Sequence, residues 1–147
     1  MDILFVEDRT EDAELTIHAL NRARIANRIH WVQDGESALA HLFGRPGEPP
    51  SRRGRPELVL LDLGLPRISG QEVLRRIKSD PSTRDIPVVV LTASTQDRDA
   101  VSSRQLGADA YIVKPVDFEN LSLITPQLKL CWGLLNDVVE VTSLPIR

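Results

Sequence analysis

Four short, unbroken apolar runs punctuate the chain: "ILFV" (3–6), "LVLL" (58–61), "VVVL" (88–91) and "YIV" (111–113). Each is brief and rich in branched residues, the pattern of a strand covered on both faces in a parallel sheet. "RIHWV" (28–32) alternates instead, putting Ile29 and Trp31 on one face, and predicts an edge strand. Between the runs the period lengthens. Ala13, Ile17 and Leu20 recur at helical spacing, as do Val73 or Leu74 and Ile77. The latter group follows "SGQE" (69–72), which has the Ser-x-x-Glu form of a helix capping box, and "DPSTRDIP" (80–87) ends that helix. Strand and helix alternating five times predict an α/β fold: a doubly wound parallel sheet with right-handed crossovers and helices on both faces.

The rhythm breaks at "GRPGEPPSRRGRP" (44–56), whose glycines and prolines predict an exposed, mobile connection of unusual length. No internal repeat and no second domain stand out. At 147 residues, with 41% hydrophobic and 27% charged content, the chain fits one soluble globular domain. A net charge of −3 gives no electrostatic footing for nucleic acid, and "RRGRP" (52–56) is expected to be a solvated loop. The lone Cys131 excludes an internal disulfide and suits a reducing compartment. The first apolar run is too short for a signal or membrane-spanning segment, so the expected location is cytoplasmic, with no membrane partner.

The chemistry collects at one edge. In open α/β sheets ligands bind beyond the carboxyl ends of the strands. The first predicted strand ends in Glu7-Asp8, the third in Asp62, the fourth in Thr92 and the fifth in Lys114-Pro115. Singly, each has an ordinary explanation: a helix-capping acid, an acid pair facing a helix dipole, a strand-end threonine, a surface lysine. Together they deliver three carboxylates, a hydroxyl and an ammonium to one rim. Oxygen ligands without paired His or Cys point to a hard cation of the Mg²⁺ type. His18, His30 and His41 fall on helix or strand bodies, away from that rim.

"VED" (6–8), "LLDLGLPRISG" (60–70), "LTAS" (91–94) and "YIVKP" (111–115) resemble the motifs of two-component response-regulator receiver domains, in order and properly spaced over residues 1–133. The resemblance implies a flavodoxin-like five-stranded sheet of order 2-1-3-4-5. It implies that Asp62 accepts a phosphoryl group from a sensor histidine kinase as a carboxylate nucleophile. Asp8, Asp62 and the Gly64 carbonyl would ligate Mg²⁺ (Mn²⁺ or Ca²⁺ able to substitute), with Glu7 acting through water. Lys114 would pair with the phosphoryl group, and Thr92 and Tyr111 would form the switch pair. Pro66 and Gly70 would shape the loop after Asp62, and Pro115 would follow a cis bond. The loop at 44–56 and the "KLCWGLL" ending look most like regulators paired with bacterial phytochrome kinases, which would make light the input.

Some positions depart from the family pattern. Glu7 stands where aspartate is common. Gly64 and Ser94 are both small, which predicts free access for water and a short phosphoryl lifetime. Pro126 falls within the expected last helix and should kink or split it. Residues 134–147 form an extension with no output domain expected after it. The closing stretch is more apolar than one helix face can bury, which predicts a homodimer through the fourth helix, fifth strand and fifth helix, with Leu128, Trp132 and Leu135 as candidate contacts. The protein would modify and demodify itself without turning over a metabolite. The alternative is a Mg²⁺-dependent phosphohydrolase with Asp62 as nucleophile. That chemistry wants a general acid two positions later, where Gly64 stands.

Overall fold

The computed structural model describes residues 2–23, 28–44, 47, 55–92, 107–114, 116 and 140–143. The apolar runs form strands β1 (Asp2–Val6), β3 (Leu58–Asp62), β4 (Val88–Thr92) and β5 (Ala110–Val113), and the alternating run forms β2 (Arg28–Val32). Every pairing is parallel, and the five strands stand in the expected order 2-1-3-4-5.

One further strand was not foreseen. Glu140–Ser143 (β6), within the stretch expected to be an extension, pairs in parallel with β2 and makes the sheet six-stranded. The edge-strand expectation for Arg28–Val32 is therefore corrected: β2 lies between β1 and β6. Its outer row of N–H and C=O groups, which would otherwise need water, is taken up by β6.

Helices cover both faces. Ala13, Ala19 and Leu20 of α1 (Thr10–Ala23) pack with Ile3, Phe5, Ile29, Leu58, Leu60, Leu91 and Ile112. On the other face, Leu39 and Leu42 of α2 (Gly35–Phe43) and Val73, Leu74 and Ile77 of α3 (Gly70–Ser79) pack with Leu4, Val6, Val59, Leu61 and Val90. Each fully buried Leu, Ile or Phe stabilises by about 1.5–3 kcal/mol. This fixes the strand register, because a one-residue slip would turn Leu58 and Leu60 onto the wrong face and Asp62 with them.

Short polar devices start and stop the helices. The Asp34 side chain accepts from Ser37 N–H at 2.7 Å and caps α2. Ser69 Oγ accepts from Glu72 N–H at 3.1 Å, while the Glu72 carboxylate turns to Arg75, so the capping box operates in one direction. After α3, Asp80 Oδ1 accepts from Ser82 N–H at 2.8 Å, and buried Thr83 donates to the Ile77 carbonyl at 2.7 Å. Lys78 Nζ donates to the Ile86 carbonyl at 2.8 Å and to Asp109 Oδ2 at 2.9 Å, tying the end of α3 to the starts of β4 and β5. The fourth and fifth helices, expected before and after β5, lie outside the described residues, which omit 93–106 and 117–139. So do Ser94, Pro115, Pro126, Leu128, Cys131, Trp132, Leu135 and most of the 44–56 connection.

Candidate functional site

The period-two geometry of the strands decides which side chains meet. Glu7 comes two residues after Phe5, Asp62 two after Leu60 and Lys114 two after Ile112, and all three of those core residues face α1. Thr92 comes two after Val90, on the face packed by α2 and α3, and Tyr111 packs against that same cluster. The pairings Val6↔Leu61, Asp62↔Leu91 and Thr92↔Val113 bring the strand ends to a common level.

Glu7 is fully buried and Asp62 is 5% exposed. Lys114 reaches across from the end of β5, its Nζ 2.7 Å from Glu7 Oε1 and 3.3 Å from Asp62 Oδ1. Its own N–H donates to the Thr92 carbonyl at 2.8 Å, which links the ammonium's backbone to the buried threonine. Gly64 N–H donates to Asp62 Oδ1 at 3.2 Å, and Arg9 N–H to Glu7 Oε2 at 3.3 Å. The bond from Gly64 is local, but it does not divert Asp62 into capping α3, because Ser69 fills that role.

A cation of the hard divalent kind fits this set. Glu7, Asp8 and Asp62 each present a carboxylate oxygen, and the three oxygens lie within 4.8 Å of one another. Asp8 Oδ1 is buried and has no hydrogen-bond partner among the described residues, an expensive arrangement for an acid unless a cation takes it up. A separate cavity of about 730 Å³ lies between α2 and α3, lined by Ser37, Ala40, Phe43, Ile68 and Arg76, and holds none of these carboxylates.

Burial pushes Glu7 up to about 8 from an ordinary 4.5; neighbouring Asp62 adds to the rise and Lys114 opposes it. Burial pulls the Lys114 ammonium down, but its bond to Glu7, the charges of Asp62 and Glu7 and its bond to Asp12 outweigh that, leaving it above an ordinary lysine. Between about 4.5 and 8 the folded chain therefore keeps a proton on Glu7 that the unfolded chain has lost, so this group's contribution to stability falls as pH rises through that window. Proton and cation also compete for Glu7. Divalent-cation affinity is expected to climb with pH up to about 8 and then level off, by up to about tenfold per pH unit. Mg²⁺ titrations between pH 6 and 9, followed by tryptophan fluorescence, measure this; a flat profile would remove Glu7 from the cation site.

Two contributors escaped the strand-end pattern. Trp31 Nε1 donates to the Glu7 carbonyl at 2.9 Å and steadies the loop between β1 and α1. Asp12, in the first turn of α1, binds Lys114 Nζ through Oδ2 at 3.2 Å. Its distance from Asp8, one helical turn along the chain, was the available signal. Of the histidines, His18 is exposed, while His30 and His41 are buried against each other with ring centroids 5.2 Å apart, well inside the α2 side of the sheet.

The family model described as "Response regulator receiver domain" matches residues 3–125. The chain is 41% identical over 130 residues to "Probable methanogenesis regulatory protein FilR2" of Methanothrix harundinacea, covering 88% of this chain and 82% of that one. It is 36% identical over 143 residues to "Response regulator Rcp1" of Synechocystis sp., covering 97% and 92%. The solved Mn²⁺-bound form of Rcp1 aligns with a TM-score of 0.66 at 34% identity, covering 87% of this chain and 89% of that one. The structure of the bacteriophytochrome response regulator AtBRR aligns with a TM-score of 0.82 at 41% identity, covering 92% and 96%. Receiver domains bind a divalent metal and interact with histidine kinases, in keeping with the acidic rim found here. Strand order, the acids at the strand ends and sequence identity along nearly the whole chain agree: it belongs to the response regulator receiver family and is a signalling protein.

Proposed function

We propose that Asp62 accepts a phosphoryl group from a sensor histidine kinase and that the resulting acyl phosphate switches the protein's partner binding. The observation that carries this is the Asp62 carboxylate itself, 5% exposed, within 4.8 Å of the Glu7 and Asp8 oxygens and 3.3 Å from Lys114. Gly64 N–H and Lys114 both meet Oδ1, and we assign Oδ2 as the oxygen that attacks phosphorus. The new O–P bond forms as the P–N bond to the kinase imidazole breaks, and the imidazole leaves with a proton from solvent. Mg²⁺, held by Asp8, Asp62 and the Gly64 carbonyl with Glu7 through water, would neutralise charge on the transferring group; Mn²⁺ or Ca²⁺ can use the same oxygens.

The packing supports a switch. Thr92, buried at the end of β4, turns its hydroxyl to the new phosphoryl oxygens, and Tyr111 moves inward on the same face of the sheet. Phosphorylation thus biases a two-state arrangement. Lys114 pairs with the phosphoryl group. Gly64 leaves room for attacking water, so the protein also removes its own phosphoryl group. The kinship with phytochrome response regulators supports a bacteriophytochrome kinase as donor, and hence a light signal. We further assign the protein to the cytoplasm, without a nucleic-acid partner, as a receiver over 1–133 with an extension at 134–147 whose strand β6 joins the receiver's sheet. Homodimerisation would use the fourth helix, fifth strand and fifth helix, of which β5 is described. Among the described residues no helix is long and apolar enough to cross a membrane.

Acetyl phosphate with and without a chelator tests this proposal. With Mg²⁺ the protein should gain one hydroxylamine-sensitive phosphoryl group per chain, and chelation should abolish the gain. Label that persists without metal, or resists hydroxylamine, would place the acceptor on another kind of side chain.

A further inference from the structure

Lys114 holds three carboxylates at once. Its Nζ lies 2.7 Å from Glu7 Oε1, 3.2 Å from Asp12 Oδ2 and 3.3 Å from Asp62 Oδ1. Glu7 and Asp62 belong to the group of acids that suits a cation, and Asp12 does not. The helix dipole would account for an acid in the first turn of α1. It would not account for an ammonium 102 residues away reaching that acid. Lys114 is 17% exposed and Asp12 31%, so water only partly screens their contact. Arg9 Nε, itself largely exposed, lies 3.9 Å from the same Asp12 Oδ2.

A divalent cation and the ammonium compete for the Glu7 and Asp62 oxygens. An acid outside the cation cluster gives the ammonium somewhere to stay while the cation takes those oxygens. We propose that Asp12 is a positioning residue that draws Lys114 off the metal-binding carboxylates and so sets the cation affinity of the site. This rests on the acceptor role proposed for Asp62 and adds a residue outside the strand ends to it. Without Asp12, Lys114 leans wholly on Glu7 and Asp62, and the cation must displace it unaided.

A double-mutant cycle on the full chain tests this, with Mg²⁺ affinity read by tryptophan fluorescence. Asp12→Asn is expected to weaken Mg²⁺ binding by about threefold to tenfold, the range for a partly buried charged hydrogen bond. Asp12→Glu should restore most of the loss. In a Lys114→Gln background, Asp12→Asn should change affinity by less than about twofold, because the residue acts through the ammonium. An unchanged affinity in the single variant would overturn the proposal. So would an equal loss in both backgrounds, which would mark a general charge effect. Acetyl phosphate labelling of the same proteins separates the two ideas. Unlabelled wild type sinks the acceptor role of Asp62, whereas labelled proteins with identical Mg²⁺ curves sink only the role of Asp12.

Discussion

Asp62→Asn is expected to take up no phosphoryl group from acetyl phosphate or from a kinase while folding at least as well as the wild type. The amide is nearly the same size and can still accept from Gly64 N–H, as Asp62 Oδ1 does at 3.2 Å. It is not a nucleophile. The change also removes the cost of burying a charged carboxylate that is only 5% exposed, and leaves Lys114 with Glu7 at 2.7 Å and Asp12 at 3.2 Å. Thermal denaturation should therefore give a midpoint at or above that of the wild type, with labelling lost. Labelling falls while stability does not, so lost labelling cannot be blamed on misfolding. Labelling near the wild-type level in the variant would transfer the acceptor role elsewhere.

Gly70→Ala should do the reverse, damaging the fold first and the chemistry through it. A Cβ at Gly70 would lie 2.5 Å from the Asp62 carbonyl oxygen and 2.6 Å from Leu63 Cα. Both are backbone atoms at the end of β3 and cannot rotate aside. Either α3 or the Asp62 peptide must shift, at a cost of about 3 kcal/mol, the upper range for forcing extra volume into a packed site. A displaced Asp62 carboxylate also loses its aim, and a misplacement of about 1 Å can slow transfer on the order of a hundredfold. Gly64→Ala is the control, since among the described residues its Cβ meets only the Asp62 carboxylate oxygens, the nearest at 3.8 Å. Urea denaturation and phosphodonor labelling of both variants check this. A Gly70→Ala protein as stable as Gly64→Ala would mean that α3 is not wedged against β3.

Much of this architecture was legible because burial on two faces leaves a plain trace. Leu58–Leu61 and Val88–Leu91 are fully buried, and their composition announced it. The rim was legible because strand ends in such sheets deliver their next residue to one side, so Glu7, Asp8, Asp62, Thr92 and Lys114 could be gathered without knowing any contact. β2 misled for a physical reason. His30 interrupts its apolar residues as a solvent-facing residue would, yet it is 2% exposed and packs against the tilted ring of His41. β6 was missed because "EVTS" carries too little apolar signal to mark a strand, and its place is set by the free edge of β2. Trp31 and Asp12 act through contacts with partners 24 and 102 residues distant, which no local pattern encodes.

Crystals grown with Mn²⁺ and beryllofluoride, a mimic of the acyl phosphate, test the convergence at Asp62 most directly. The expected result is an anomalous Mn²⁺ peak bonded to Asp8 and Asp62 oxygens, with beryllofluoride on the Asp62 carboxylate and the Lys114 ammonium beside it. A Mn²⁺ peak away from these acids, with Asp62 unmodified, would contradict it.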